Sequence, residues 1–235
     1  MAVIKSEICY QSGEVGIRGI QCRPENNFTH PGIIVLHGAE GFQAHHGCFS
    51  QEIARAGYVV FTPQWFEGEV GRKDPSQIEL GDIFSMVGYL RALEYVDKTR
   101  VGLVGFSLGA ALSLVMASYD KDIKAAVLYY PPADWGRIGK FFTRIKIEAN
   151  FIENISCPLL IIQGDSDHFI PIESACKLFQ DLKIHSKLCE MSIYPGVDHA
   201  FNWTDRKEYN AEFAEKARED TVRFLDKYLE PEGFY

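Results

Sequence analysis

Five short apolar runs, 33–37, 58–62, 101–104, 125–129 and 159–163, are separated by longer segments of helical period. Nearly continuous apolar character over four or five β-rich residues predicts central strands covered on both faces. Residues 46–56, 79–96, 108–119 and 172–184 read as helices between them. The segment 205–229 places Phe213, Ala217, Thr221, Phe224, Leu225 and Tyr228 at three- and four-residue steps, which predicts a last helix lying on the sheet. Alternation of this kind predicts an α/β fold, a mostly parallel sheet with helices on both faces. Ahead of it, 4–22 reads as an antiparallel hairpin around Ser12, Gly13 and Glu14 at the sheet edge. No repeat, low-complexity tract or linker interrupts the chain, so one domain over 1–235 is expected. The long connection 131–156 mixes Phe141, Phe142, Ile145 and Ile147 with Arg137, Lys140, Arg144 and Lys146, and is a candidate lid or pocket wall.

The most specific motif is Gly105-Phe106-Ser107-Leu108-Gly109, placed directly after the run 101–104 and opening the helix 108–119. A serine on a sharp strand-to-helix turn is a nucleophile elbow, and small flanking residues let the turn close. The helix N-terminus then points free N–H groups at the same place, making the Leu108 amide a candidate oxyanion donor. The bland alternative is a serine that caps a helix; the strand before it and the helix after it favour the nucleophile.

A serine hydroxyl needs an imidazole base oriented by a carboxylate, so the motif predicts an acid and then a histidine further along. Gly164-Asp165-Ser166-Asp167-His168-Phe169-Ile170-Pro171 follows the run 159–163, and Val197-Asp198-His199-Ala200-Phe201 follows a strand expected over 188–194. Both sit where open α/β sheets build their sites, and the order Ser, Asp, His suits this fold. His199 is the candidate base and Asp167 the candidate acid. Asp165 is expected to pin its turn, and Asp198, adjacent to His199, to point elsewhere. His168 is expected at the rim, and His45, His46 and His185 in polar helical surroundings. The loop after the first central strand, 37–42, offers the Ala39 amide as second oxyanion donor. His37 is expected to be structural, and Glu40 is either a solvated loop carboxylate or a polar contact in the pocket mouth.

With these motifs the chain resembles the dienelactone hydrolase family of the α/β-hydrolases, from about residue 33 to 229. The resemblance is carried by the loop 37–42, Tyr58-Val59-Val60-Phe61-Thr62-Pro63 leading to Trp65, the elbow, Gly164 to Pro171, and Tyr194-Pro195-Gly196 with His199. It implies Asp167 as the acid, three residues after the glycine and four before the proline. Three positions depart from the family. Ser107 stands where its best characterised members carry cysteine; Gly38 stands where they hold a glutamate, with Glu40 two residues on; Trp203 replaces a carboxylate-binding arginine four residues after the histidine. Arg72, Arg137 and Arg144 are candidates to substitute for it.

The resemblance implies hydrolysis of a small ester or lactone through an acyl-enzyme, with no metal or organic cofactor. Glu40, Trp65, Phe106, Phe169 and Trp203 are candidate substrate contacts. The rivals are a small-substrate serine peptidase or acyltransferase on the same scaffold, and a non-catalytic receptor binding a small ligand in that pocket. Composition narrows the partners: 24 Lys and Arg against 32 Asp and Glu give a net charge of −8, which disfavours nucleic acid and anionic membranes. No basic segment leads into an apolar run at the N-terminus, and no stretch nears the ~20 apolar residues of a membrane span, so a cytoplasmic protein is expected. Six scattered cysteines without a C-x-x-C pair signal neither zinc nor a redox motif.

Overall fold

The alternating N-terminal segment folds as the hairpin β1 (Val3–Ser12) and β2 (Val15–Pro24), antiparallel from Val3↔Pro24 to Ser12↔Val15. Its turn is closed by Gly13 at φ 59. The computed structural model describes residues 1–66 and 72–229. The apolar runs become β3 (His30–Leu36), β4 (Val59–Pro63), β5 (Val96–Phe106), β6 (Ile123–Tyr129) and β7 (Leu159–Gly164), followed by β8 (Cys189–Tyr194). One sheet has the order β1-β2-β4-β3-β5-β6-β7-β8, parallel from β4 to β8. The chain winds outward one way from β3 to β4 and the other way from β5 on. The carboxyl ends of β3 and β5 therefore flank the crevice where such sheets bind ligands.

Helices α1 (Ala44–Arg55) and α6 (Ala211–Leu229) cover one face, and α2 (Leu80–Ala92), α3 (Leu108–Tyr119) and α5 (Ile172–Ile184) the other. Period-2 alternation divides each central strand between two cores. Ile33, Val35, Val127, Leu160 and Ile162 join Phe49, Ile53, Phe224 and Leu225; Ile34, Leu36, Leu128, Leu159 and Ile161 join Met86, Leu112, Leu178 and Leu182. Each such fully buried side chain contributes roughly 1.5–3 kcal/mol.

Two predicted helix ends shift by a turn or more. The helix expected over 79–96 ends at Ala92, because Val96 is recruited into the β3 ladder, where His30 N–H bonds the Tyr95 carbonyl at 3.0 Å. The helix expected over 205–229 begins at Ala211: Asn210 accepts the Phe213 amide on its side chain at 3.1 Å, an N-cap, and 201–209 is left as turns. The connection 131–156 holds a short α4 (Trp135–Ile138) and a 3-10 turn (Phe151–Asn154), with Ile138, Phe142, Ile145 and Phe151 buried. Among the described residues no helix is long and apolar enough to cross a membrane.

Candidate active site

Ser107 adopts φ 51, ψ −115 between the end of β5 and the start of α3. A residue with a Cβ adopts that conformation only where its surroundings enforce it. Two close backbone approaches do so here. A Cβ on Gly105 would collide with the Gly109 carbonyl and Ser113 Oγ, and one on Gly109 would collide with the carbonyls of Leu36 and His37. The Ser107 N–H bonds the Tyr129 carbonyl at 3.0 Å, tying the turn to β6. Leu108 opens α3, so its amide belongs to the helix's unpaired N-terminal donors. It faces, with Ala39 and Ser107, a cavity of about 610 Å³.

His199 lines the same cavity, and its Nδ1 lies 2.8 Å from Asp167 Oδ2. The Asp167 side chain is fully buried, yet every acceptor direction is used: Oδ1 takes the amides of Phe169 and Ile170 at 2.8 and 2.7 Å, and Oδ2 takes Gln163 Nε2 at 3.2 Å. A carboxylate so held leaves His199 Nδ1 as donor and Nε2 as the free acceptor. Asp198 points away, accepting the amides of His168 and His199 at 2.9 and 2.6 Å and pairing with the exposed His168 ring. Asp165 accepts the Gly196 amide at 2.7 Å, so it pins the neighbouring loop as well as its own turn.

Under the loop after β3 lies a layer of buried rings. His37 is fully buried and stacked on Trp65 at 5.0 Å, with Nδ1 against the Gly38 carbonyl at 3.0 Å. Burial, then the neighbouring His46, push its pKa down to about 3, so the ring is neutral near pH 7. His45 and His46 are also buried, which corrects the expectation of polar helical surroundings: α1 turns both inward against Trp203. Ligand atoms of Glu40, His45 and His46 lie within 4.8 Å of one another, a spacing a metal could use. His46 Nδ1, however, accepts the Gln43 amide at 3.0 Å, so the neutral ring carries its proton on Nε2, the atom facing Glu40 at 3.4 Å. That tautomer suits a hydrogen-bond donor and leaves no lone pair for a metal. Burial, the largest single influence, pushes the Glu40 carboxyl up, but hydrogen bonds from His46 and from its own backbone amide, with the nearby His46 and His37 rings, together outweigh it and the net shift is downward.

Of the candidate substrate contacts, Glu40, Phe169 and Trp203 line the cavity. Trp65 and Phe106 do not. Trp65 is fully buried, donating Nε1–H to the His37 carbonyl at 3.3 Å; Phe106, one residue before the elbow, alternates into the core between Phe49, Tyr129 and Trp203. Of the candidate arginines, Arg72 pairs with buried Asp82 at 2.9 Å and Arg144 with Glu79 at 2.7 Å, while Arg137 lines the cavity and forms no ion pair among the described residues. Sequence reasoning missed Arg206 and Lys207, which also line it, because it extended α6 over them. It missed Tyr130 as well, although a residue immediately past a central strand was a usable signal.

An eight-stranded sheet of this order, with an elbow serine beyond β5, defines an α/β-hydrolase fold. The dienelactone hydrolase family model matches residues 17–229, and the chain belongs to that family. It is similar to a carboxymethylenebutenolidase homolog of Xenopus tropicalis, 25% identical over 91% of this chain and 88% of the relative. Among solved structures, one from Klebsiella pneumoniae bearing a dienelactone hydrolase designation superposes with a TM-score of 0.82 at 22% identity, covering 97% of this chain and all of the other. An acylaminoacyl peptidase from Pyrococcus horikoshii superposes with a TM-score of 0.78 at 17% identity, covering the whole of this chain and 44% of the peptidase. At these identities the structures show the shared fold.

Proposed function

We propose that this hydrolase cleaves a small ester or lactone through an acyl-enzyme. Ser107 is the nucleophile, His199 its base, and Asp167 the residue that orients the base. The observation that carries the proposal is His199, its Nδ1 2.8 Å from the buried, fully hydrogen-bonded Asp167, in one cavity with a serine held at φ 51. His199 Nε2 takes the Ser107 proton as the oxygen attacks the carbonyl. The Ala39 and Leu108 amides stabilise the oxyanion, and His199 returns the proton to the leaving alcohol. Water, deprotonated by the same imidazole, then releases the acid and restores Ser107.

Arg137, which forms no ion pair among the described residues, lines the cavity together with Arg206 and with Lys207, itself paired with Glu208 at 3.6 Å, and supports substrates that carry an anionic group. The likeness to an acylaminoacyl peptidase supports a second reading, amide cleavage. A panel of p-nitrophenyl esters, lactones and anilides sharing one acyl group, with wild type and Ser107→Ala, tests all three ideas. We expect ester or lactone turnover to fall at least roughly 10³-fold in the variant, and anionic esters to lose their advantage in Arg137→Gln. Retention of a tenth of the rate in Ser107→Ala would sink the nucleophile, and anilides turning over as fast as esters would favour the peptidase.

A further inference from the structure

Four non-glycine residues among those described have positive φ, and three of them, Ser107, Tyr130 and Ala200, stand at this site. Tyr130 is the least expected, since a bulky aromatic rarely adopts φ 38. It follows β6, the strand between those that deliver Ser107 and Asp167. Its N–H bonds the Ile162 carbonyl of β7 at 2.7 Å, which locks the backbone. The conformation sends the buried ring beneath His199, centroid to centroid 4.3 Å with planes 54° apart. Beyond the ring, the hydroxyl donates to Asn202 Oδ1 at 3.1 Å and receives the Trp203 side chain. Tyr130 thus grips the loop carrying His199 at residues 199, 202 and 203.

A single hydrogen bond to Asp167 fixes Nδ1 but leaves the imidazole free to rock about the N···O line, which swings Nε2 away from the nucleophile. Phe169, the other ring beside the imidazole at 5.4 Å, is 75% exposed and makes a loose wall. We propose that Tyr130 is a positioning residue that sets the tilt of His199, its strained backbone serving to place the ring. The inference rests on His199 being the base proposed above. Burial raises the Tyr130 hydroxyl well above its ordinary pKa, so the residue stays protonated and acts through His199 rather than as a base itself.

The test is kcat and KM for a p-nitrophenyl ester with Tyr130→Leu and Tyr130→Phe, each made in wild type and in His199→Ala. In wild type we expect the leucine to lower kcat about 30-fold and the phenylalanine about threefold, with KM within about threefold. In His199→Ala both should change the residual rate by less than about twofold, because residues acting as one unit are not additive. Equal losses in the two backgrounds, or a loss in KM alone, would overturn the inference. If Tyr130→Leu does not fold, the phenylalanine pair decides: unchanged kcat in wild type overturns it. Should His199→Ala itself keep the wild-type rate, the base assignment fails, an outcome distinct from failure of Tyr130 alone.

Discussion

The two sides of the cavity hold their key side chains by different means. On the Ser107 side, backbone touches backbone: Gly105 and Gly109 press α3 and the elbow onto the end of β3, over a floor of buried His37, His46 and Trp65 rings. On the His199 side one such approach recurs, since a Cβ on Gly164 would collide with the Val197 carbonyl, but His199 itself is held by hydrogen bonds and side-chain contacts through Asp167, Asp198 and Tyr130, and the outermost wall, Phe169, stands in solvent. On the proposed assignment, a nucleophile on an elbow turn sits where its own backbone is strained, which steric closure enforces, and a base has to be oriented, which takes polar partners. Substitutions on the first side are therefore expected to register in stability, and those on the second in rate.

The largest expected effect tests the second half of that contrast. Asp167→Asn reverses the hydrogen bond that sets the His199 tautomer, and we expect kcat to fall roughly 10⁴-fold with little change in Tm; a loss below tenfold would show that the pair at 2.8 Å does not orient the base. Gly109→Ala tests the first half. Its Cβ would drive into the Leu36 carbonyl, and a loss of about 3 kcal/mol in urea unfolding is expected. Unchanged stability would mean that β3 can yield.

His37 gives a pH test of the buried floor. Its pKa falls from 6.5 to about 3 on folding, so between those values the unfolded chain binds a proton the folded chain does not. Stability then drops as pH falls through that window, by up to about 1.4 kcal/mol per pH unit. Unfolding curves at several pH values should show a shallower acid slope in His37→Asn; an identical slope would place the titrating group elsewhere. The smallest effect is expected at Phe169→Ala, where an exposed ring should change stability by less than about 0.5 kcal/mol and kcat by less than about threefold. A larger kcat loss would make Phe169 a second wall for the imidazole.

The strands were legible because burial on two faces writes nearly pure apolar runs, and the elbow because its glycines are required by contacts that any such turn makes. Asp167 could be preferred to Asp165 and Asp198 from their places in the two loops, with the family resemblance in support, although the directions of the three carboxylates depend on tertiary hydrogen bonds. Trp65 and Phe106 were misread as pocket contacts because an aromatic at a strand end can face either layer. His45 and His46 were misread because α1 buries polar residues against Trp203, a pattern that hydrophobic periodicity does not record. Arg206 was hidden by a helix start that Asn210 delays.

The approach of Gly109 to the Leu36 and His37 carbonyls has a consequence for motion. The turn bearing Ser107 and the loop bearing Ala39 cannot separate without breaking the same backbone contact, so they breathe as one body. Opening of the cavity is expected to fall to its other lining segments, around 132–141, 169–171 and 200–208. Amide exchange would then sort the site into two classes: the Ser107 amide, bonded to Tyr129, exchanges only in the deepest unfolding events, while amides of the outer loops exchange through shallow ones. On the proposed assignment, substrate would enter and product leave past a Ser107 that stays still.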